Sequence, residues 1–218
     1  MTINTKTLAA IDIGTNAIRL FISNVEEYPT ETLFKKIAFL RVPIRLGEDV
    51  FTTGEIGQQK RKRLCETMQG FSYIMSAFNV ESYKAYATCA MREARNGKSV
   101  AEQIQKECDL NIEIISGTKE AETIFAGGMN EVVDDDKTYL YVDVGGGSTE
   151  VIVYSKSVKV EACSFPLGTV RMLNDAVDKE EMKHFKKWLK NITEKYTPDA
   201  IIGSGGNINK IHKLLNKK

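Results

Sequence analysis

The stretch Tyr139-Leu-Tyr-Val-Asp143-Val-Gly145-Gly-Gly-Ser148-Thr-Glu150-Val-Ile-Val153 decides the fold: an apolar run ends at an aspartate, turns through glycines and continues as a second apolar run. The same pattern stands, without a gap, in Leu8-Ala-Ala-Ile-Asp12-Ile-Gly14-Thr-Asn-Ala-Ile-Arg-Leu-Phe-Ile22. A glycine bend lets a backbone approach a ligand closely. Each stretch is therefore predicted to be a β-hairpin, and together they indicate an internal repeat.

The sequences after the two hairpins also correspond. Each continues with an alternating strand, then a helix with apolar residues at three- and four-residue steps, then further strands and helices. The predicted elements of the first copy are strands over 32–42, 81–87 and 111–115, a helix along 64–78, a helix over 98–108 and a helix from about 119. Those of the second are strands over 158–164 and 199–202, with helices along 182–196 and over 208–215. Three antiparallel strands followed by alternating helices and strands make a mixed sheet.

The repeat predicts an α/β protein of two domains, residues 1–130 and 131–218, each with a mixed sheet of the five-stranded type. The second copy lacks a final strand and helix that the first has, so we expect it to be incomplete. The two glycine turns are expected to face each other across a cleft, which is a natural ligand site. The polar stretch 131–137 is interpreted as a connector, with a metal-binding acidic cluster as the alternative.

Composition is that of a globular protein: 218 residues, 42% of them hydrophobic, with a formal net charge of +1. No run approaches the roughly 20 apolar residues of a membrane span, and the first residues are polar, so a cytoplasmic protein is expected. The four cysteines show no CxxC spacing, which favours reduced packing residues over a zinc site. The two histidines lie among lysines in helical patterns and receive no role.

The turn at residues 145–148 offers consecutive unhindered N–H groups and a hydroxyl, a backbone concavity of the kind that binds phosphate. We predict phosphate contacts from Gly145, Gly146, Gly147 and Ser148. Asp143 and Glu150 flank this turn, and two carboxylates beside a phosphate site suit Mg²⁺. The alternative is a structural hairpin with capping carboxylates.

The matching turn adds Gly14, Thr15 and Asn16 as predicted phosphate ligands. A third glycine turn, with Gly205 and Gly206, joins a strand to a helix whose N-terminus favours an anion, although close packing alone would also explain it.

Arg92 follows a strand end and is a predicted phosphate ligand, since the planar guanidinium binds two oxygens at once. A surface arginine is the alternative there, and more so at Arg95. Glu120 lies in the first turn of a predicted helix, where an acidic residue is also ordinary because the helix dipole favours it.

Taken together, the motifs resemble those of the exopolyphosphatase and guanosine pentaphosphate phosphohydrolase (Ppx/GppA) family, in order and in spacing. They are listed here: Ala10-Ile-Asp12-Ile-Gly14-Thr-Asn16, Ala87-Thr88 through Arg92 to Asn96, Ile114-Ile115-Ser116-Gly117-Thr-Lys-Glu120-Ala121, Val142-Asp143-Val-Gly145-Gly-Gly-Ser148-Thr-Glu150, Phe165-Pro-Leu-Gly168 and Gly203-Ser-Gly205-Gly206. The resemblance covers nearly the whole chain.

This resemblance implies two tandem actin-like (ribonuclease H-like) units and removal of the terminal phosphate from polyphosphate or guanosine pentaphosphate. It implies that Glu120 is the catalytic base, that Asp143 and Glu150 are magnesium carboxylates, and that polyphosphate or a guanosine penta- or tetraphosphate is the partner. Neither nucleic acid nor a membrane is expected as a partner, and a homodimer is compatible with the family. Members of the family continue beyond the third glycine turn.

The sequence departs from the family pattern in places: Ala17 lacks a hydroxyl that members usually carry, and Lys119 stands where an acidic residue is frequent. Two other functions stay open. One is an ATP-using kinase of the wider actin-like superfamily, against which the segment from Ser116 to Glu120 argues. The other is a protein that binds polyphosphate or a guanosine alarmone without hydrolysing it.

Overall fold

A computed structural model describes residues 4–126, 134, 136–156 and 158–215, which form two compact units, Met1–Ile115 and Ser116–Lys218. The elements of the first unit are β1 (Asn4–Ile13), β2 (Ile18–Glu27), β3 (Thr32–Val42), α1 (Leu46–Thr53), α2 (Gln58–Ala77), β4 (Ser82–Ala87), α3 (Cys89–Glu93), α4 (Gly97–Cys108) and β5 (Glu113–Ile114). Those of the second are α5 (Gly117–Ala126), β6 (Thr138–Val144), β7 (Thr149–Ser155), β8 (Val158–Phe165), α6 (Thr169–Leu173), α7 (Lys179–Tyr196), β9 (Ala200–Ser204) and α8 (Gly206–Leu215).

Each unit has one mixed sheet, and the two sheets share a strand order. The first runs β3-β2-β1-β4-β5 and the second β8-β7-β6-β9. In each, the hairpin is antiparallel, the third strand pairs antiparallel with it, and the next strand pairs parallel with the first. The predicted repeat of α/β units with mixed sheets is confirmed.

Amphipathic helices build the core of the first unit. On α2 the buried residues Leu64, Met68, Phe71 and Met75 recur at helical spacing, and they join one cluster with alternate residues of β1 and β2. Apolar burial of this extent is the main stabilising term of a domain.

The second sheet is covered on both faces, which is why β7 is buried at nearly every position. One face carries Tyr141, Ile152 and Tyr154 and packs with Ala121 of α5. The other carries Val151 and packs with α7. Side chains alternate along a strand, so a strand buried on both faces has an uninterrupted apolar run.

The structure groups α5 with the second unit, whereas the sequence prediction placed it in a first domain of residues 1–130. The reason is packing: Ala121 and Ile124 lie in the tyrosine-rich cluster on the second sheet. The predicted boundary between residues 130 and 131 lies outside the described residues, as do 131–133 and 135 of the predicted connector. The described Asp134 pairs with Lys137 and accepts a hydrogen bond from the Tyr139 hydroxyl, which lowers its pKa, with Lys137 as the larger cause.

Candidate active site

The turn between β6 and β7 is a tight loop closed by its own backbone. The Gly145 N–H donates to the Ser148 carbonyl oxygen at 2.9 Å. Within the described part of the chain, the N–H groups of Gly146, Gly147 and Ser148 donate to no oxygen. Successive N–H groups without an internal acceptor are typical of anion-binding turns, and the phosphate contacts predicted here stay a prediction.

Two carboxylates stand directly opposite each other beneath this turn. Asp143 on β6 pairs in register with Glu150 on β7, so both side chains lie on the same face of the sheet. Glu150 is only 2% exposed, and its Oε1 accepts a hydrogen bond from the Ser164 hydroxyl at 2.8 Å. Like charges in opposite positions destabilise a sheet unless a positive group balances them.

The row of polar side chains extends across the whole second sheet. Asp143 also pairs in register with Ser204 of β9, and Glu150 pairs with Ser164 of β8. The Tyr141 hydroxyl donates to the Ser204 hydroxyl at 2.6 Å. Burial raises the Tyr141 pKa, and the charges of Asp143 and Glu150 raise it further, while the bond to Ser204 opposes them. Tyr141 is therefore a neutral donor next to the carboxylates.

Glu120 lies in the first turn of α5, a helix that packs on this same face of the second sheet. Ser116 caps α5, its hydroxyl accepting from the Lys119 N–H at 3.1 Å and its carbonyl from the Glu120 N–H at 2.9 Å. The next residue, Ala121, is buried against Tyr141 and Ile152, which neighbour Asp143 and Glu150 on their strands. Asp143 and Glu150 thus lie on the face of the second sheet that α5 covers, and α5 carries Glu120.

The third glycine turn lies at the same edge of the sheet. Gly205 has a φ of +93°, which favours glycine, and a Cβ there would lie 2.7 Å from Asp143 Oδ1. The helix α8 begins at the next residue, Gly206. Close packing against Asp143 explains Gly205 by itself, while the N-terminus of α8 keeps Gly206 as a predicted anion contact.

Two residues that contact the carbonyl side of the turn, Gly168 and Arg171, were not predicted from the sequence. Gly168 approaches so closely that a Cβ would lie 2.4 Å from the Gly146 carbonyl carbon and oxygen. Arg171, 9% exposed, donates from Nε to the Gly147 carbonyl at 3.0 Å. For Gly168 a signal was present, because it belongs to the motif Phe165-Pro-Leu-Gly168. That motif ends just before the short helix α6, which carries Arg171.

The corresponding turn in the first unit is closed in the same way, by a bond from the Gly14 N–H to the Ala17 carbonyl oxygen at 3.2 Å. The carbonyls of its predicted ligands Thr15 and Asn16 accept hydrogen bonds from the N–H groups of Gly47 and Arg45 at the start of α1. Within the described residues, the N–H groups of Thr15 and Asn16 donate to no oxygen. Its aspartate, Asp12, faces Arg19 in register and forms a salt bridge with it.

Arg92 lies near this first turn. The Thr88 N–H donates to the Ile13 carbonyl, next to Gly14, and Arg92 stands one helical turn later on α3. Its Nη1 donates to the Ile115 carbonyl at 2.8 Å, and it lines a cavity of about 530 Å³. Arg95, by contrast, donates to the Thr53 carbonyl at 2.9 Å, a structural contact at the end of α1.

The comparison with protein families agrees with this geometry. A model of the Ppx/GppA phosphatase family matches residues 22–210. The chain belongs to this family. The match includes the second turn and all three carboxylates, Glu120, Asp143 and Glu150, and it begins after the first turn.

The chain is also similar in sequence to individual proteins. The chain is 32% identical over 168 residues to a bifunctional 3-dehydroquinate synthase/phosphatase of Fusobacterium nucleatum, covering 75% of this chain and 25% of that protein. It is 28% identical over 170 residues to exopolyphosphatase 2 of Mycobacterium tuberculosis, covering 76% of this chain and 53% of that one. The chain therefore spans about half the length of the exopolyphosphatase it matches.

Solved structures confirm the actin-like fold. An exopolyphosphatase from Cytophaga hutchinsonii aligns with a TM-score of 0.82 at 25% identity, covering 98% of this chain and 72% of that one. The Ppx/GppA family member of Aquifex aeolicus aligns with a TM-score of 0.75 at 26% identity, covering 97% of this chain and 70% of that one.

The donor set favours one kind of metal. Across the described ranges, no three His, Cys, Asp or Glu side chains come close enough together to hold an ion. The pair Asp143 and Glu150 supplies two carboxylates, and magnesium commonly uses one or two with water and phosphate oxygens for the rest. Structural zinc would need four nitrogen or sulfur ligands. The residues present fit magnesium held together with a phosphate.

The cysteines are free thiols, as expected for packing residues. Among the described helices, none is long and apolar enough to cross a membrane.

Proposed function

We propose that this chain hydrolyses the terminal phosphoanhydride bond of inorganic polyphosphate or guanosine pentaphosphate with the help of Mg²⁺. The observation that carries the proposal is the pairing of Asp143 with Glu150 next to three N–H groups that have no internal acceptor. The N–H groups suit phosphate oxygens, and the two carboxylates suit a cation that would come with them.

The turn supplies binding and orientation. With its carbonyls occupied by α6, the turn at Gly146, Gly147 and Ser148 presents a fixed set of donors to the terminal phosphate. Phosphoryl transfer needs little covalent help from a protein and mostly requires alignment and charge neutralisation. A rigid turn meets the first requirement.

Asp143 and Glu150 are assigned to hold magnesium, which when bound neutralises charge that develops on the phosphate oxygens. Glu150 is oriented for this by Ser164, whose hydroxyl donates to Oε1 at 2.8 Å. Gly205, packed on Asp143, limits the positions that this carboxylate can take.

Glu120 is assigned as the base. In the proposed step, a water oxygen attacks the terminal phosphorus, the bond from that phosphorus to the bridging oxygen breaks, and Glu120 accepts a proton from the water. The cap from Ser116 fixes the first turn of α5, and Ala121 anchors it on the sheet. This packing supports the proposal because α5, which carries Glu120, covers the face of the sheet with the other two carboxylates.

The turn of the first unit is proposed as a phosphate-binding turn in its own right, with Gly14, Thr15, Asn16 and Arg92 as its predicted ligands. This turn has available N–H groups and its aspartate is already paired with Arg19, so it suits an anion without an added cation. Polyphosphate is the favoured substrate because several relatives are named exopolyphosphatases. Guanosine pentaphosphate presents the same terminal bond.

The test is phosphate release from each substrate in magnesium, comparing the wild type with Glu120→Gln and Glu122→Gln. Glu122 is the matched control, since it lies on the same helix and pairs with Lys159 on the surface. We expect Glu120→Gln to lower kcat by about 100-fold or more and Glu122→Gln to leave it unchanged. Equal rates in the wild type and Glu120→Gln would contradict the assignment.

Binding of polyphosphate without hydrolysis is the competing outcome. It would appear as polyphosphate affinity in the wild type with no release of phosphate in magnesium.

A further inference from the structure

Arg171 is a buried charged residue that no step of the proposed reaction uses. It is 9% exposed and lies on α6, a helix of only five residues that follows Gly168. Burying an arginine costs free energy unless its donors are satisfied, so its contacts are expected to have a specific role.

The contacts of α6 are concentrated on the glycine turn. The N–H groups of Thr169 and Val170 donate to the carbonyls of Gly145 and Gly146, at 3.1 and 2.8 Å. Arg171 contributes twice, from its backbone N–H to the Gly146 carbonyl at 3.1 Å and from Nε to the Gly147 carbonyl at 3.0 Å.

These bonds engage the carbonyl oxygens of all three glycines in the turn. Glycine has wide conformational freedom, so a run of three would otherwise sample many backbone orientations. A peptide whose carbonyl is fixed on one side has its N–H fixed as well, because the peptide group is planar. The Nε bond of Arg171 fixes the peptide that joins Gly147 to Ser148, and thus the Ser148 N–H.

We propose that Arg171 is a positioning residue that locks the glycine turn, with its carbonyls toward α6, so that the N–H groups of Gly146, Gly147 and Ser148 stay oriented for a phosphate. This inference rests on the proposed function of the turn. The first unit offers a contrast, because there the turn is held by the backbone N–H groups of Arg45 and Gly47.

The experiment compares Arg171→Met, Arg171→Lys and the control Arg63→Met. Arg63 also donates to a carbonyl, that of Pro43 at 3.3 Å, but on the surface of the first unit. Affinity for inorganic tripolyphosphate in magnesium is measured by calorimetry in the Glu120→Gln background, so that hydrolysis does not interfere. Melting temperature is measured for every variant, and affinity is measured well below it.

We expect Arg171→Met to weaken tripolyphosphate binding about tenfold or more, as for a lost charge-assisted hydrogen bond, and Arg63→Met to leave it unchanged. Arg171→Lys keeps the charge without the planar donor, so binding should remain several-fold weaker than in the wild type. A merely structural role would lower the melting temperature and leave the affinity of the folded protein unchanged, which would overturn the proposal. Full recovery with lysine would also overturn it, since charge alone would then suffice.

An NMR measurement separates this inference from the proposed function. In the protein without ligand, Arg171→Met should shift or broaden the amide signals of residues 146–148 more than those of the turn at residues 14–17. Unchanged signals would contradict the positioning role. The wild type could also prove unable to bind or hydrolyse polyphosphate. Changed amide signals in Arg171→Met would then still support the positioning role of Arg171, while the proposed function of the turn would be rejected.

Discussion

The two glycine turns share one pattern of backbone hydrogen bonds but differ in the charge of the residue that faces their aspartate. Each is closed by a bond from its first N–H to the carbonyl three residues later, and each is held from behind by the start of the helix that follows the third strand. In the first turn, Asp12 faces Arg19, whereas in the second, Asp143 faces Glu150. The two turns therefore share a backbone shape, and we propose that the residue facing the aspartate, Arg19 in the first turn and Glu150 in the second, determines whether a cation is needed with phosphate.

Burial strengthens this difference. In the first turn the facing pair is partly open, since about 44% of the Asp12 side chain surface and 43% of that of Arg19 are exposed. In the second turn Glu150 is nearly fully buried. A buried charge depends more on its partners than an exposed one does, and a cation bound together with phosphate is the partner that we propose for the second turn.

Exchanging the facing residue should have the largest effect. Glu150→Arg gives Asp143 an arginine partner like that of Asp12, and we expect this variant to lose magnesium-dependent phosphate release. Glu150→Gln should lower the rate of release about 100-fold, because one proposed metal ligand is lost. Rates are measured across a range of magnesium concentrations.

The control for this exchange is Glu161→Gln, on the neighbouring strand β8, where the carboxylate contacts Lys195 and Tyr196 at the surface. Circular dichroism should show that Glu150→Gln is folded. Magnesium-dependent turnover at the wild-type rate in Glu150→Gln would mean that the two turns do not differ as described.

Gly168→Ala should have the next largest effect, since the new Cβ would lie 2.4 Å from the backbone of Gly146. We expect a loss of about 3 kcal/mol in the free energy of unfolding, as for overpacking against a rigid backbone, and weaker phosphate binding. Urea denaturation measures the first effect. Gly70→Ala is the control, because no atom lies within 4 Å of its Cβ position on α2, and it should be neutral or stabilising. Similar losses of unfolding free energy in both variants would show that Gly168 is not packed tightly against the turn.

A smaller effect concerns the first turn. Burial raises the Asp12 pKa above its ordinary 3.8, and the charge and hydrogen bond of Arg19 oppose that rise. Arg19→Gln should therefore raise the pKa further, as measured by NMR titration of the Asp12 carboxyl. The contribution of Asp12 to stability is greatest below pH 3.8 and is lost as the pH rises through the pKa of the folded state. In the variant this loss should therefore extend to higher pH. A lower pKa in the variant would contradict the pairing.

The smallest effect compares the thiols of the two units. Burial raises the Cys65 pKa to about 11 and also raises those of Cys108 and Cys163, of which Cys163 alone is partly exposed. At pH 8, limiting alkylation followed by mass spectrometry should label Cys163 before Cys65 and Cys108. The reverse order would show that the first unit opens more readily than the second.

The repeat and the strand order were predictable because β-branched runs, glycine turns and helical periodicity are local signals. Helices α2, α4 and α7 followed from apolar spacing on one face. The short helices α1 and α6 were not predicted, since five to eight residues carry too little periodicity and both are fixed by bonds to the turns.

The candidate site was predictable in part. The pairing of Asp143 with Glu150 follows from the length of the turn, which sets the register of the hairpin. Arg171 could not be found in the same way, because its role depends on α6 folding back onto a turn 24 residues earlier in the chain. The place of α5 was likewise decided by the packing of Ala121 on the second sheet, a tertiary contact with no local signal.

We propose that the second turn, and not the first, holds a cation together with phosphate. The most direct test is calorimetric titration of magnesium in the presence of a non-hydrolysable imidotriphosphate, comparing Asp12→Asn with Asp143→Asn. We predict that Asp12→Asn binds magnesium within about threefold of the wild type, whereas Asp143→Asn weakens binding at least about tenfold. Equal weakening in both variants, or none in Asp143→Asn, would contradict this account.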